Sequence, residues 1–489
     1  MNKSLLFLGL LGFASSAGAQ TTPNLGPWVL VNTTNVTAIP PGYRIRDIKT
    51  VSPNVAWIVA SELGSTVPNY YFVTSNAAGT EFASGSTIPN NGAQTFQTGN
   101  ISPVGLAGTP AAATTAIAAT YPPMGGGGEI IRTTNGGASW TKVTTAGQFN
   151  AAQGGFCNWV HMFDASVGLS LGDPTGTTSP YYEVLRTVDG GLTWARLPQA
   201  SSPVPLADEA ALTRSFFVRG NTVWAGTGSG VPSNPVRVLK STDRGLTWTV
   251  APTTLLGSIE RLAFKDDLNG IAYNTKAVSG AISEVNVIRT TDGGATWSPI
   301  TTINSPTGSF FWFDIDAANG RYYSVGQRFP ASTPAVAEDF GSSSSIDGIT
   351  WTNINTSQGF FTFDLIASGT NNAQGYAGTS TAATGSGGIF KAGIIQLANR
   401  DAALQSALSV YPNPSANGAF TVELGSTLQA GAQVTVSDAL GRLVKSQALN
   451  ATAIGAKKFA LDLSNEKSGV YTLQIRSAVG IATQKLVVE

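Results

Sequence analysis

The sequence predicts an all-β protein made of repeated, stacked sheet units, followed by a small separate β-sandwich. Tryptophans 140, 194, 248, 297 and 351 recur at intervals of 49 to 54 residues, and a near-constant period of that size marks stacked units. Only 11% of the 489 residues are charged, while Gly 56 and Pro 25 are abundant, a composition rich in strands and turns. From Leu408 onward, short alternations of apolar and polar residues are punctuated by Gly, Asn and Pro, the pattern of a compact antiparallel sandwich.

At the N-terminus, Lys3 precedes the apolar run Leu5 to Phe13, and Ala17-Gly18-Ala19 precedes Gln20. This three-part pattern predicts a cleaved secretory signal over residues 1–19. The run is about half of the roughly 20 apolar residues a membrane-spanning helix needs, so no transmembrane segment is expected. Strand-patterned lead-ins then follow at Ile45 to Ala60, Ile101 to Thr120, Trp159 to Gly172, Ser215 to Gly226, Ile259 to Tyr273, Phe311 to Gly326 and Phe361 to Gly378. They predict seven units across residues 20–397. The last unit runs out after Gly388-Ile389-Phe390-Lys391 without a final strand, whereas Pro27 to Thr34 has the pattern of a final strand with no unit of its own. That N-terminal strand is expected to complete the last sheet, which removes two open edges at once.

The recurrent tryptophans close a turn motif. Thr133-Thr134-Asn135-Gly136-Gly137-Ala138-Ser139-Trp140 is repeated as Thr187 to Trp194, Ser241 to Trp248 and Thr290 to Trp297, in shortened form as Ser345 to Trp351, and in degenerate form as Thr74 to Phe82. Asn135, Asp189, Asp243, Asp292 and Asp347 are short side chains able to accept hydrogen bonds from turn amides, and the glycines tolerate positive φ. Trp140, Trp194, Trp248, Trp297 and Trp351 then supply large apolar plates for packing. These segments are similar to the Asp-box, or BNR, repeats of sialidases, xyloglucanases, sortilin-type receptors and photosystem II assembly-factor-like proteins. The resemblance implies a seven-bladed β-propeller closed by the N-terminal strand. It also implies that the boxes lie away from the ligand face, so their aspartates are structural.

A change of composition near Asn399-Arg400-Asp401 predicts a linker over 398–407 and a second domain over 408–489. Its segments Leu408 to Pro414, Gly418 to Leu424, Val434 to Asp438, Leu440 to Val444, Gly469 to Ile475 and Lys485 to Val488 resemble, in order and spacing, the type A C-terminal sorting domain of the bacterial type IX secretion system. The resemblance implies a small Ig-like sandwich, recognition by the type IX machinery, and a secreted or outer-surface destination.

Composition narrows the remaining chemistry. Lys+Arg 28 balances Asp+Glu 28, so no global basic field exists to gather nucleic acid or anionic lipid. A lone Cys157 and a lone His161 exclude a disulfide framework and any multi-Cys zinc site. No cofactor and no metal are expected.

In propellers of the resembled kind, ligands meet the face carrying the starts of the inner strands. The loops expected there are long, and Tyr121, Tyr181 and Tyr182 stand in or beside them as stacking candidates. Tyr43-Arg44-Ile45-Arg46 is similar to the Phe-Arg-Ile-Pro motif of sialidases, with Arg46 where proline is expected; Arg214 and Arg261 are further candidates for binding a carboxylate. Asp164, Asp266 and Asp316 each stand four residues before a glycine and are read as turn residues. Glu260, Asp173, Asp208 and Glu209 do not recur and are the candidate catalytic acids. The leading functional expectation is a binding or scaffold protein recognising an extracellular glycan or protein. The alternative is a sialidase- or xyloglucanase-like glycoside hydrolase: resemblance to sialidases would imply an arginine triad, a Tyr/Glu nucleophile pair and an acidic proton shuttle, and hydrolysis by paired acids would require two carboxylates about 5–10 Å apart across the mouth of the ring.

Overall fold

The fold is described from a computed structural model. The described residues are 25–392, except 32–38, 40, 64–69, 75–81, 83–85, 88–95, 106–109, 124, 177, 369–371 and 382–387, and 402–489, except 425–431, 439–441, 450 and 477–480. The expected signal at 1–19 and residues 398–401 of the expected linker lie outside them. The chain divides into two compact units, 1–394 and 395–489.

Among the described residues, the first unit contains seven four-stranded antiparallel sheets and one two-stranded ribbon, Asn304–Ser305 with Gly308–Ser309. The first strands of the sheets are β1 (Tyr43–Ser52), β2 (Gln97–Pro103), β3 (Cys157–Met162), β4 (Glu209–Arg219), β5 (Arg261–Phe264), β6 (Asp314–Ala318) and β7 (Thr362–Ser368). Each lies against the first strand of the next sheet, and β7 returns to β1, so the sheets close into a ring around the first strands. We number the sheets by these strands. The N-terminal segment Trp28–Leu30 pairs antiparallel with Ile389–Ala392 at the outer edge of the seventh sheet, Val29 opposite Lys391. Its Trp28 Nε1 donates to Ser342 Oγ on the sixth sheet (3.1 Å), and its ring lies 5.1 Å from that of Phe360.

The repeated tryptophans explain how the sheets adhere. Each packs on the sheet before its own: Trp194 on Ile117 and Ile130, Trp297 on Trp224 and Val238, Trp351 on Ala263 and Ile271, and Trp28 on Tyr323 and Val325. Trp140 packs likewise beside Trp57 and Val59, and Trp248 beside Leu169 and Leu171. Where the degenerate repeat carries phenylalanine, the buried Phe82 meets Tyr376 of the seventh sheet edge to face, at 6.0 Å.

The turn before each tryptophan holds itself. In the third sheet, Thr187 Oγ1 donates to Asp189 Oδ1 (2.7 Å), the Thr193 amide donates to the same oxygen (3.0 Å) and Thr193 Oγ1 donates to Oδ2 (2.6 Å). The same frame recurs around Asp243, Asp292 and Asp347, and around Asn135 with its amide donating to Ser139. Burial pushes the Asp189 carboxyl up, but the Thr193 and Thr187 donors outweigh it and hold the group at about 2. The second glycine of the motif is required twice over at Gly245: its φ is +86°, and a Cβ there would stand 2.3 Å from Leu169 Cδ1 of the neighbouring sheet.

In the C-terminal unit, a three-stranded sheet (Ser409–Tyr411, Ala419–Glu423, Lys458–Asp462) and a four-stranded sheet (Leu443–Ala448, Gln433–Asp438, Gly469–Arg476, Ile481–Val488) share one core that includes Phe420, Val436, Leu461 and Leu473. The second half of the expected linker is instead a short helix, Ala402–Ala407. Gln405 fastens it to this unit, its Nε2 donating to the Thr483 carbonyl and its Oε1 accepting from the Thr483 amide, both at 2.9 Å.

Candidate functional site

At the end of the ring where β1, β4 and β5 begin, the chain leaves a cavity of about 570 Å³ lined by Arg44, Arg46, Arg214, Glu260, Arg261 and an aromatic wall. All four sequence-selected arginines and one of the four selected acids thus meet at one mouth. A local irregularity brings in Arg214. The register between β4 and the second strand of its sheet jumps from Ala211↔Thr227 to Phe216↔Ala225, so Leu212 to Ser215 bulge out opposite Gly226. Bulges commonly re-aim a side chain beside a functional site. Arg214 also has φ +62°, a left-handed backbone that costs energy for a non-glycine residue.

From the bulge, Arg214 reaches across the axis. Its Nη2 donates to Asp314 Oδ2 of the sixth sheet (3.0 Å) and to Thr362 Oγ1 of the seventh (2.7 Å), and its Nε lies 3.4 Å from Asp47 Oδ1 of the first. Arg261 Nε donates to the other oxygen of the same buried Asp314, at 3.1 Å. Arg214 and Arg261 line both the mouth and a second cavity of about 210 Å³ along the axis, so together they form a floor between the two. Burial, and then the neighbouring Arg261, press the Arg214 pKa below the ordinary arginine value. Burial also pushes the Asp47 carboxyl up, against the pull of Arg214.

Above this floor, Arg46 meets a hydroxyl and Arg44 an aromatic ring. The exposed Arg46 donates through Nε to Ser61 Oγ (2.8 Å), and the Arg44 guanidinium lies 5.1 Å from the centre of the Phe361 ring. Phe361 is in turn stacked on Phe313 at 5.7 Å, and Trp312 completes the aromatic wall. Glu260 Oε1 accepts from the Thr275 amide (3.0 Å) and hydroxyl (2.5 Å). Tyr273, opposite Arg261 in the ladder, is buried in the lining, and burial carries its phenol well above the usual range.

The other selected residues lie outside the lining of both cavities. Glu209 is buried and paired with Arg237, and it accepts from the Leu206 amide and the Thr227 hydroxyl, both at 2.8 Å. Asp173 accepts from Asn158 Nδ2 (2.7 Å) and the Ala211 amide (3.0 Å); burial pushes it up to about 6. Asp208 is exposed in a left-handed turn, φ +60°. Tyr182 is fully buried in the core between the third and fourth sheets, so its ring has no exposed face for the expected stacking. Tyr181 is half-buried, and Tyr121 packs its ring 4.6 Å from that of Phe156.

The axial cavity holds groups that sequence reasoning set aside. Asp164 and Asp266 are turn acceptors, each bonded to two backbone amides. Asp316 is different: it sits on β6, lines the axis and accepts from the Leu365 amide at 2.7 Å. Burial and the nearby Asp364 raise it to about 8, against the pull of Lys49. Lys49 itself is paired with Asp364 at 2.5 Å. His161 lines the same cavity, and burial, with Lys49 adding to it, lowers its imidazole to about 3. Cys157 is buried and its thiol is pushed up by that burial.

Residues 409–489 match the family described as the secretion system C-terminal sorting domain. The chain is accordingly a secreted or cell-surface protein, and its C-terminal domain implies interaction with the type IX secretion machinery. No helix among the described residues is long and apolar enough to cross a membrane. No curated protein matches the chain. Among solved structures, it is similar to YCF48 bound to a D1 peptide (14% identity, 77% of this chain and 100% of that chain, TM-score 0.46). It is also similar to PorZ, a surface component of the type IX secretion system of Porphyromonas gingivalis (13%, 90% and 69%, 0.35), and to Trypanosoma rangeli sialidase (10%, 94% and 87%, 0.41).

Proposed function

We propose that this chain is a secreted seven-bladed Asp-box β-propeller, delivered by an Ig-like type IX sorting domain, whose role is to bind an anionic extracellular glycan or protein at the arginine-rich mouth. One observation carries the reading: Arg44 and Arg46 from the first sheet, Arg214 from the fourth and Arg261 at the start of the fifth converge on one cavity whose lining includes the single acid Glu260. In a chain with 28 basic and 28 acidic residues, this is a local excess of positive charge. Guanidinium groups match carboxylates in geometry and charge, and the aromatic wall offers faces for stacking or apolar contact. Arg214 and Arg261 share the one carboxylate of Asp314, and the exposed Arg46 stands at the outer part of the mouth, where an incoming anion arrives first.

A glycoside hydrolase is the second reading, because Glu260 and Tyr273 line the same mouth as the arginines. Of the four selected acids, Glu260 alone lines that cavity, and a two-carboxylate mechanism needs a facing partner; this supports binding over hydrolysis. A glycan array run beside hydrolysis assays on the mature protein tests both. Binding of uronate- or sialate-bearing glycans that weakens with Arg46→Gln is the expected result. Turnover abolished by Glu260→Gln would replace binding with hydrolysis, and anion binding indifferent to Arg46→Gln would overturn the site.

A further inference from the structure

The rim of the mouth is not uniform. At the mouth end of the fourth sheet, Glu209 pairs with Ser229 and Pro235 with Leu256, so the segments before Glu209, between Ser229 and Pro235, and after Leu256 share one edge. They are laced together: the Ser229 amide donates to the Gly257 carbonyl (2.7 Å), the Gly257 amide to the Asn234 carbonyl (2.9 Å) and the Gly230 amide to the Asp208 carbonyl (3.3 Å). This edge exposes Val204 at 73%, Leu206 at 45%, Val231 at 40% and Leu256 at 39%. Elsewhere on the mouth side, among the described residues, Leu63, Val278 and Val336 are exposed on three separate sheets, one on each. The strip continues into the mouth, because Ser258 directly follows Gly257 and lines the cavity beside the bulged Leu212.

We infer that the mouth and this rim form one continuous site for an extended peptide of a protein partner, which places a carboxylate among Arg44, Arg46 and Arg261 and lays adjacent aliphatic side chains on Val204, Leu206, Val231 and Leu256. The inference rests on the anion-binding reading above and adds the class of partner. Four exposed aliphatic side chains beside a cationic pocket complement a chain that is itself aliphatic and acidic. A sugar is a poorer match for that rim, since it gains from aromatic faces and the aromatic wall lies across the mouth on Trp312, Phe313 and Phe361. The carboxylate has two possible sources, a chain terminus or an internal acidic side chain.

Fluorescence anisotropy with the full mature chain separates these cases. The probes are an octapeptide ending in three aliphatic residues with a free C-terminal carboxylate, its C-terminal amide, an amidated peptide carrying one glutamate among aliphatic residues, a serine-substituted free-acid peptide, and an oligoglucuronate. At least one aliphatic acid peptide is expected to bind roughly tenfold tighter than the serine peptide, a modest return for burying aliphatic surface. The triple variant Leu206→Ser, Val231→Ser, Leu256→Ser is expected to erase that difference while leaving oligoglucuronate binding unchanged. Free-acid binding lost on amidation assigns a terminus, and equal binding of the glutamate peptide assigns an internal acid. Equal binding of the serine and aliphatic peptides, or binding confined to oligoglucuronate, overturns the peptide inference and leaves the anionic mouth standing. Failure of every anionic probe overturns both.

Discussion

The two ends of the ring obey different rules. At the box end, five turns repeat one hydrogen-bond frame, and each carboxylate in it is consumed by its own turn, as Asp189 is by Thr187 and Thr193. At the mouth end little repeats: the fourth sheet bulges, Arg214 adopts a left-handed backbone, and its guanidinium crosses to three other sheets. Repetition in this molecule marks what holds the sheets together, and departure from it marks the mouth proposed above as the binding site. Substitutions at the box end should therefore change stability and leave binding alone, and those above the floor of the mouth should do the reverse.

The largest expected effect comes from the strand that closes the ring. Removing the residues before 36 strips Trp28 from the sixth sheet and exposes the edge at Ile389–Ala392; loss of a tryptophan-sized contact alone is worth about 3–5 kcal/mol. Calorimetry should show a sharply lowered Tm, with aggregation through the open edge. A chain starting at residue 36 that melts like the mature protein would break the comparison at its foundation. Next comes Arg214→Ala, a mouth residue whose partners also join four sheets. It leaves Asp314 and Asp47 without their shared cation, and uncoupling one partner of a buried pair costs about 3 kcal/mol or more, so this mouth residue, unlike Arg46, should lower Tm as well as binding.

The acid on the axis supplies a pH test. Asp316 has a folded-state pKa of about 8, raised by burial and Asp364, so the folded protein keeps a proton that the unfolded chain releases near pH 4, the ordinary aspartate range of about 3.9. The resulting stability is complete below that point and is lost as pH rises through about 8. Denaturant midpoints should fall between these values, and Asp316→Asn should flatten the decline. An unchanged slope in the variant would remove Asp316 as its source. Smaller still is Asp292→Ala, which deletes the acceptor of one box turn; by analogy with capping residues it should cost about 1 kcal/mol, with anion binding unaltered. The least expected change in stability, within about 0.5 kcal/mol, is that of the exposed Arg46→Gln, which should nonetheless weaken anion binding.

The same division explains what could be read from the sequence. A box turn is local, with its donors and acceptors inside eight residues and its tryptophan at a fixed offset, so a one-dimensional pattern contains the whole device. Phe82 was visible as the degenerate copy for that reason. The floor of the mouth is assembled from residues such as Asp47, Arg214 and Asp314, and no spacing rule connects them. Arg44, Arg46, Arg214, Glu260 and Arg261 were selectable because they stand near the starts of first strands, but the bulge that turns Arg214 across the axis arises from pairing with Thr227 and Ala225, which is invisible until the strands meet. Asp316 misled for the converse reason: four residues before a glycine it matches Asp164 and Asp266, yet its chain stays extended through Ala318 and the turn falls at Asn319-Gly320. Tyr182 misled because loop position says nothing of side-chain direction, and its neighbour Tyr181 took the outward side.

Pairing of Trp28 with Ala392 sets a timetable as well as a seam. The entropy of closing so long a loop grows only with the logarithm of its length, so the finished molecule loses little by joining Trp28–Leu30 to Ile389–Ala392. Chain growth imposes a different condition. A polypeptide made from its N-terminus holds residues 28–30 for the whole of synthesis before Ile389–Ala392 exists to receive them, and contacts of such high sequence separation form slowly. Throughout that interval the seventh sheet is incomplete and one of its edges is open. The ring therefore closes only after residues 389–392 have been made, whatever the order in which the other sheets form.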